Sequence, residues 1–272
     1  MGERVVRNDE AAGSIPARST LFGGYMYRFY CPDADFSRPS VVINDPHEIH
    51  HIKDVLRLKK GSLVQIFNAK SQQADAFIEE IKEESIRVGV QKVKQGSDGQ
   101  PRIILACAPP KKGKFEFIIE KCTELGVDEI IPLRTKRTEV VFTEDKMASK
   151  LSRFKAVAVN ASKQSQRTKV PRICPMTPLL QVLQNLDPKG LHLIPSLNGH
   201  PKHIREILRD SSLGLGTTDV TVFIGPEGDF TPDELDLAIK YGCVPVSMGD
   251  TVLKVETAAI AAVALVKFLC RN

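Results

Sequence analysis

The sequence predicts an α/β protein, with a mostly parallel sheet and alternating helices in its larger part and a small β-rich barrel carrying one helix before it. Three observations predict this. From about residue 100 onward, apolar runs of strand length alternate with segments of helical periodicity. Before that point the runs are short, close together and alternate residue by residue. Between the two patterns, "KQGSDGQP" (Lys94–Pro101) has the composition of a linker.

Residues 1–25 are small and polar without sustained periodicity. They lack both the apolar core of a signal peptide and the basic amphipathic pattern of a transit peptide, and are expected to be a disordered or non-native extension. Met26, opening "MYRFYCPD", reads as the start of the folded chain. Over 26–95, "SVVI", "LVQIFNA", "ADAFIEEI" and "SIRVGVQKV" are the strands, and "DPHEIHHIKDVLRLKKG" (Asp45–Gly61) the one helix of the barrel. Over 100–272 the order is strand "RIILACA", helix "GKFEFIIEKCTELG", strand "VDEIIPL", long helix "KMASKLSRFKAVAVNASKQSQR", strand "LHLIPSL" and helix "HIREILRD". Strand "DVTVFIG", helix "DELDLAIKYG", strand "VPVSMG" and helix "VETAAIAAVALVKFL" complete it. A sheet of this kind places its ligand site beyond the carboxyl ends of its strands. The last helix is apolar nearly all round and must be covered on most faces, by its own domain or by a second copy; a homodimer is expected.

At 272 residues, 42% hydrophobic and 26% charged, the composition is that of a globular protein. No apolar stretch approaches the roughly 18 residues that a membrane span needs, so no membrane partner is predicted. The six cysteines are far apart and form no C-x-x-C pair, which suits reduced core thiols in a cytoplasmic protein rather than a disulfide framework or zinc ribbon. Net charge is +5, unevenly spread: residues 1–100 hold 14 basic and 14 acidic side chains, 101–172 hold 16 and 8, and 173–272 hold 8 and 11. "LRTKRTEV" and "SKQSQRTKVPR" are the densest basic stretches. Such runs are either solvated surface or, with their interspersed Thr, Ser and Gln, a phosphate-binding face.

In "VFIGPEGDFTPDE" a buried strand ends in Gly-Pro-Glu-Gly, and a helix restarts with an N-cap (Thr231), a first-turn proline (Pro232) and a capping-box acid (Glu234). Alone, this could be a tight turn and nothing more; its glycines would equally let main-chain groups approach a ligand. "HEIHH" (His47–His51) fits the H-E-x-x-H zinc spacing, but its helix is short and no third ligand motif follows, so no metal is predicted and His51 reads better as an RNA-facing edge with Arg57. Walker A, G-x-G-x-x-G and G-x-S-x-G sequences are absent. What remains is a pair of backbone-rich loops at strand ends, Gly225–Gly228 and Met248–Thr257, suited to a neutral or zwitterionic cofactor.

In order, "HHIKDVLRLKKG", "EKCTELGVDEIIPLRTKRTEV", "NASKQSQR", "IGPEGDF" and "MGDTVLKVETA" resemble the blocks of the RsmE family of 16S rRNA uridine-N3 methyltransferases, from Met26 to the C-terminus. The resemblance implies a SPOUT-type knotted methyltransferase domain that binds S-adenosylmethionine and dimerises, preceded by a PUA-like RNA-binding barrel. Its substrate would be a uridine in small-subunit ribosomal RNA within the assembled subunit. It implies cofactor contacts from Ile224, Gly225, Glu227, Gly228, Met248, Gly249 and Leu253. Arg137, Gln164, Arg167 and Glu256 would position RNA or base, and His51, Arg57, Arg134, Lys136 and Lys254 would bind RNA. The chain departs from the family pattern at Asp229, where a second glycine is usual, at Thr251 and Lys254 ("TVLK" for "RILR"), and at Asn160, where an acidic residue is usual. The rival readings are a related methyltransferase acting on tRNA or ribose 2′-OH, and a catalytically silent RNA-binding or ribosome-assembly protein.

Overall fold

The computed structural model describes residues 26–96, 101–111, 113–140, 144–196, 201–210 and 218–270; the expected N-terminal extension and the middle of the linker lie outside them. The first sheet joins β1 (Tyr27–Tyr30), β2 (Ser40–Ile43), β3 (Leu63–Phe67), β4 (Gln72–Ile81) and β5 (Ile86–Gln95) in the order β1-β3-β4-β5-β2. β1 runs parallel to β3 and the other neighbours are antiparallel. The residue-by-residue alternation of "ADAFIEEI" drives Ala74, Ala76 and Ile78 into the core beneath the sheet. β1 and β2 stay at the two ends of the order, so among the described residues the sheet is not closed by a ladder between them.

The helix expected over 45–61 is shorter. Asp45 accepts hydrogen bonds from the Glu48 and His47 backbone amides, at 3.1 and 2.8 Å, and caps α1 (Pro46–His50). A π-helical turn over His51–Val55 follows, and the chain leaves it through Arg57 at φ 52°. Ile49 and Ile52 are buried and Val55 is 59% exposed, while Leu56 and Leu58 beyond it still pack against the core, so the chain leaves the helix without leaving the core.

The second sheet contains β6 (Ile103–Cys107), β7 (Glu129–Arg134), β8 (Arg172–Ile173), β9 (Thr177–Pro178), β10 (Leu191–Pro195), β11 (Val220–Ile224) and β12 (Val244–Val246). Its order is β12-β10-β11-β6-β7-β8, with β9 also on β7 and every pairing parallel. The helices are α2 (Phe115–Glu124), α3 (Glu144–Gln164), α4 (Leu179–Gln184), α5 (Ile204–Leu208), α6 (Pro232–Lys240) and α7 (Val255–Cys270). β11 is buried at every residue, as a strand covered on both faces must be. Its even side (Val220, Val222, Ile224) joins Ile103 and Leu105 against α2, α3, α5 and α7; Phe223 on the other side joins Ala106 and Ile194 against α4 and α6. β8, β9 and α4 have no counterpart in the sequence reading, because two-residue strands and a six-residue helix lacking a side-chain cap carry no periodic signal. On α7 the domain covers the stripe Val255, Ala259, Ala262, Val263, Val266 and Cys270, and leaves Phe268 71% exposed. All six cysteines are buried, and none forms a disulfide. Among the described residues no helix is long and apolar enough to cross a membrane.

Candidate active site at the carboxyl ends of the parallel strands

A cleft of about 490 Å³ opens beyond the carboxyl ends of β10, β11 and β12. One wall is the loop Ile224–Glu227 with Asp229, a second runs from Met248 to Lys254, and Lys111, Lys114 and the first turn of α7 close it from the other side. Its size is within the range of small-molecule sites.

The Gly-Pro-Glu-Gly loop is held from several directions. A Cβ on Gly225 would come within 3.2 Å of the Phe230 ring, and one on Gly228 within 3.3 Å of Arg137 Cδ. The glycines therefore make room for the protein's own side chains. Asp229 takes the left-handed conformation (φ 58°), its amide donating to Pro226 O at 2.9 Å and its carboxylate accepting from the Phe230 amide at 2.8 Å. Glu227 accepts from the Lys111 amide at 2.9 Å and so ties this loop to the one after β6. Arg137 donates to Gly228 O at 2.5 Å, and the Lys136 amide donates to Glu234 at 2.7 Å. Glu234 also completes the capping box that starts α6.

On the opposite wall, Gly249 turns the chain at φ 117°, its amide donating to Ser247 Oγ at 3.2 Å. Lys114 and Glu256 form an ion pair at 2.5 Å between the starts of α2 and α7. The hydrogen bond from Lys114, helped by Glu256's own amide and by Lys254, holds the Glu256 carboxyl below the usual carboxylate range. The cleft thus combines apolar surface (Ile224, Met248, Leu253) with main-chain groups, carboxylates (Glu227, Asp229, Glu256) and ammonium groups (Lys111, Lys114, Lys254). That set suits a ligand with an apolar part and charges of both signs.

The predicted residues divide into three groups. Ile224, Gly225, Glu227, Met248, Gly249 and Leu253 line the cleft together with Lys254 and Glu256, while Gly228 lies behind it against Arg137. Arg134, Lys136 and Arg137 are exposed on and after the end of β7. His51 and Arg57 belong to the first domain, where Arg57 is exposed. His51 is half-buried with its ring against Phe29, and burial, with Lys163 nearby, pushes its pKa down. Gln164 is exposed at the end of α3, and Arg167 turns inward, donating to Thr123 O at 2.8 Å and Val127 O at 2.9 Å; neither lines the cleft. The basic stretch around them is thus partly an internal seam. Glu48 of the H-E-x-x-H spacing belongs to the same seam, paired with Lys163. Lys111 and Lys114 were missed. The one signal for them was "PPKKGK", a loop between a strand's carboxyl end and a helix.

A family model described as an RNA methyltransferase domain matches residues 98–267, and one described as an RNA methyltransferase PUA domain matches 43–91. The ribosomal RNA small subunit methyltransferase E of Rickettsia conorii is 30% identical over 243 residues, 89% of this chain and 95% of the relative. The chain belongs to this RNA methyltransferase family. The Bacillus subtilis small subunit methyltransferase E is 26% identical over 81% of this chain and 87% of its own length. Among solved structures, a Legionella pneumophila protein in complex with the cofactor SAM superposes with a TM-score of 0.81 at 29% identity, covering 91% of this chain and 99% of that one. The fold is shared with a Neisseria gonorrhoeae small subunit methyltransferase E bound to S-adenosylmethionine, at a TM-score of 0.80, 24% identity and the same coverage. Against the RNA methyltransferase pattern, the Asp229 departure falls on a left-handed residue, where glycine is the unstrained choice. Thr251 and Lys254 fall on the cleft wall, and Asn160 on the exposed side of α3.

Proposed function

We propose that this chain transfers the methyl group of S-adenosylmethionine to N3 of a uridine in small-subunit ribosomal RNA, acting on the assembled subunit in the cytoplasm. The observation that carries the reading is the cleft itself: two backbone-rich loops at the carboxyl ends of β11 and β12, the parallel strands on either side of β10, in a chain of the RNA methyltransferase family. In this reading residues 26–95 bind RNA and 100–272 perform transfer, with the chain threaded as the resemblance implies. The cofactor, when bound, supplies an electrophilic methyl on a sulfonium that leaves as a neutral thioether.

The chain's own residues hold and orient. Ile224, Met248 and Leu253 offer apolar contact, main-chain groups at Gly225 and Gly249 offer hydrogen bonds, and Glu227 offers negative charge. Glu256, with its carboxyl held low by Lys114, is poorly suited to take the N3 proton and well suited to fix the Lys114 ammonium in the cleft. Lys114 and Lys254 then stabilise the negative charge that develops on the base as its N3 proton passes to solvent water. Arg137 holds the cofactor loop at Gly228 and faces solvent for RNA. Gln164 positions RNA from the end of α3, and Arg167 acts through the turn it braces. His51, Arg57, Arg134 and Lys136 contact phosphates. A second copy covers the exposed side of α7 around Phe268, so light scattering should report a dimer.

The test has two parts. Titration calorimetry with S-adenosylmethionine should show saturable binding to the purified protein. Nucleoside mass spectrometry should then find one new 3-methyluridine in small subunits incubated with enzyme and cofactor. A methyl on ribose, or transfer to tRNA alone, would overturn the substrate; cofactor binding without any transfer would overturn the activity.

A further inference from the structure

Where the two domains meet, charged side chains that are almost out of water join them. Glu48 of α1 places both carboxylate oxygens 2.9 Å from the Lys163 ammonium in the last turn of α3, with the two side chains only 9% and 15% exposed. The ammonium also lies 5.6 Å from the centroid of the Phe29 ring. Beside it, the buried Arg28 of β1 donates to Arg167 O at 3.0 Å and Ser162 O at 3.5 Å, and its guanidinium stacks 4.7 Å above the Phe67 ring. The backbone of Gly96 lies so close to Thr168 that no Cβ would fit between them. From this seam the Arg167 side chain continues to Thr123 O and Val127 O, at the turn that leads into β7, the strand that delivers Arg137 to the cofactor loop.

We propose that Arg28, Glu48 and Lys163 are positioning residues that fix the angle between the RNA-binding domain and the cleft, and thereby set which nucleotide reaches the methyl donor. The inference rests on the function proposed above. An apolar seam of the same area would hold the domains together while allowing them to slide, because hydrophobic contact is non-directional. A buried, bidentate ammonium–carboxylate pair and a guanidinium donating to two carbonyls can keep those bonds in one relative orientation only.

The seam is tested by pulsed electron resonance between spin labels at Lys59→Cys and Lys240→Cys, both exposed and one in each domain, the native cysteines being buried. With labelled chains diluted into an excess of unlabelled protein, so that a dimer carries at most one labelled copy, the wild-type background should give one narrow distance distribution, and Lys163→Met a broadened one. The double variant Glu48→Leu/Lys163→Met leaves no unpaired buried charge, keeps the fold and should broaden the distribution too. In both variants S-adenosylmethionine affinity should stay within about twofold of wild type, while kcat/KM for small subunits falls at least about tenfold, since small misplacements of reacting groups are costly. An unchanged distribution overturns the proposal, and so does a broadened one with wild-type kcat/KM. If the wild-type protein methylates no small subunits, the proposed function falls, and the distance measurement still decides whether the seam fixes the angle.

Discussion

Asp229 is the residue at which the Gly-Pro-Glu-Gly loop of the candidate site can be tested through its backbone alone. It sits at φ 58°, where a side chain costs about 1–2 kcal/mol relative to the right-handed region and glycine costs nothing sterically. Its carboxylate offsets part of that cost by accepting from the Phe230 amide at 2.8 Å, a bond worth about 1 kcal/mol. Replacement by glycine or alanine removes the bond equally, so the two variants differ only in backbone terms. Alanine keeps the left-handed penalty, whereas glycine sheds it and gives back about 0.5–1 kcal/mol through the greater entropy of its unfolded chain. The glycine variant should therefore be the more stable of the two by roughly 0.5–1 kcal/mol, the reverse of the order found at ordinary positions. For a chain of this length that is about 1–2 °C in melting temperature, measurable by scanning calorimetry. Wild type should match or exceed both. Because Asp229 lines the cleft, the glycine variant should also retain more S-adenosylmethionine affinity than the alanine variant. An alanine variant at least as stable as the glycine one would refute the left-handed assignment and with it the loop geometry.

Gly225→Ala should push its new methyl against Phe230 and Asp229 and weaken S-adenosylmethionine binding about tenfold, read by calorimetry, with a cost in stability of about 1–3 kcal/mol from overpacking. Arg167→Met should lose two hydrogen bonds to carbonyls and about 2–3 kcal/mol in denaturant titration, while cofactor affinity stays close to wild type. Glu256 is a carboxyl whose folded pKa lies below its unfolded value. Its stabilisation is complete above the ordinary carboxylate range and is lost as pH falls through the lowered pKa, so the stability gap between wild type and Glu256→Gln should shrink on acidification. Burial pushes the Cys31, Cys122, Cys174 and Cys243 thiols up to about 12, so a thiol reagent at neutral pH should modify none of them rapidly until the protein is denatured.

Much of the fold was legible because its elements announce themselves by period. β11 is a continuous apolar run since both its faces are covered, β4 alternates since only one is, and α6 opens with a complete capping box. The segment 172–184 was silent for the opposite reason: β8 and β9 exist only because β7 offers them a ladder, a cause that lies elsewhere in the chain. The π-helical turn after α1 is equally non-local: the first domain's core takes Ile52 within it and Leu56 and Leu58 after it.

The candidate cleft was legible where it is built from backbone and illegible where it is built from charge. Glycine and proline at a strand end constrain the main chain by their own chemistry, and the two loops that carry them do form the cleft. A lysine or arginine carries no such local signature. Lys114 and Lys163 both stand in basic stretches, yet one enters the cleft to meet Glu256 and the other enters the seam to meet Glu48. Each partner is more than 110 residues away in sequence, at separations of 142 and 115. Local charge density therefore measures how many cations a segment holds and says nothing about which are available to phosphate. In "SKQSQRTKVPR" the seam takes Lys163 and the α2–β7 turn takes Arg167, so what the stretch presents to RNA is less than its composition suggests, and the cations exposed after β7 matter correspondingly more.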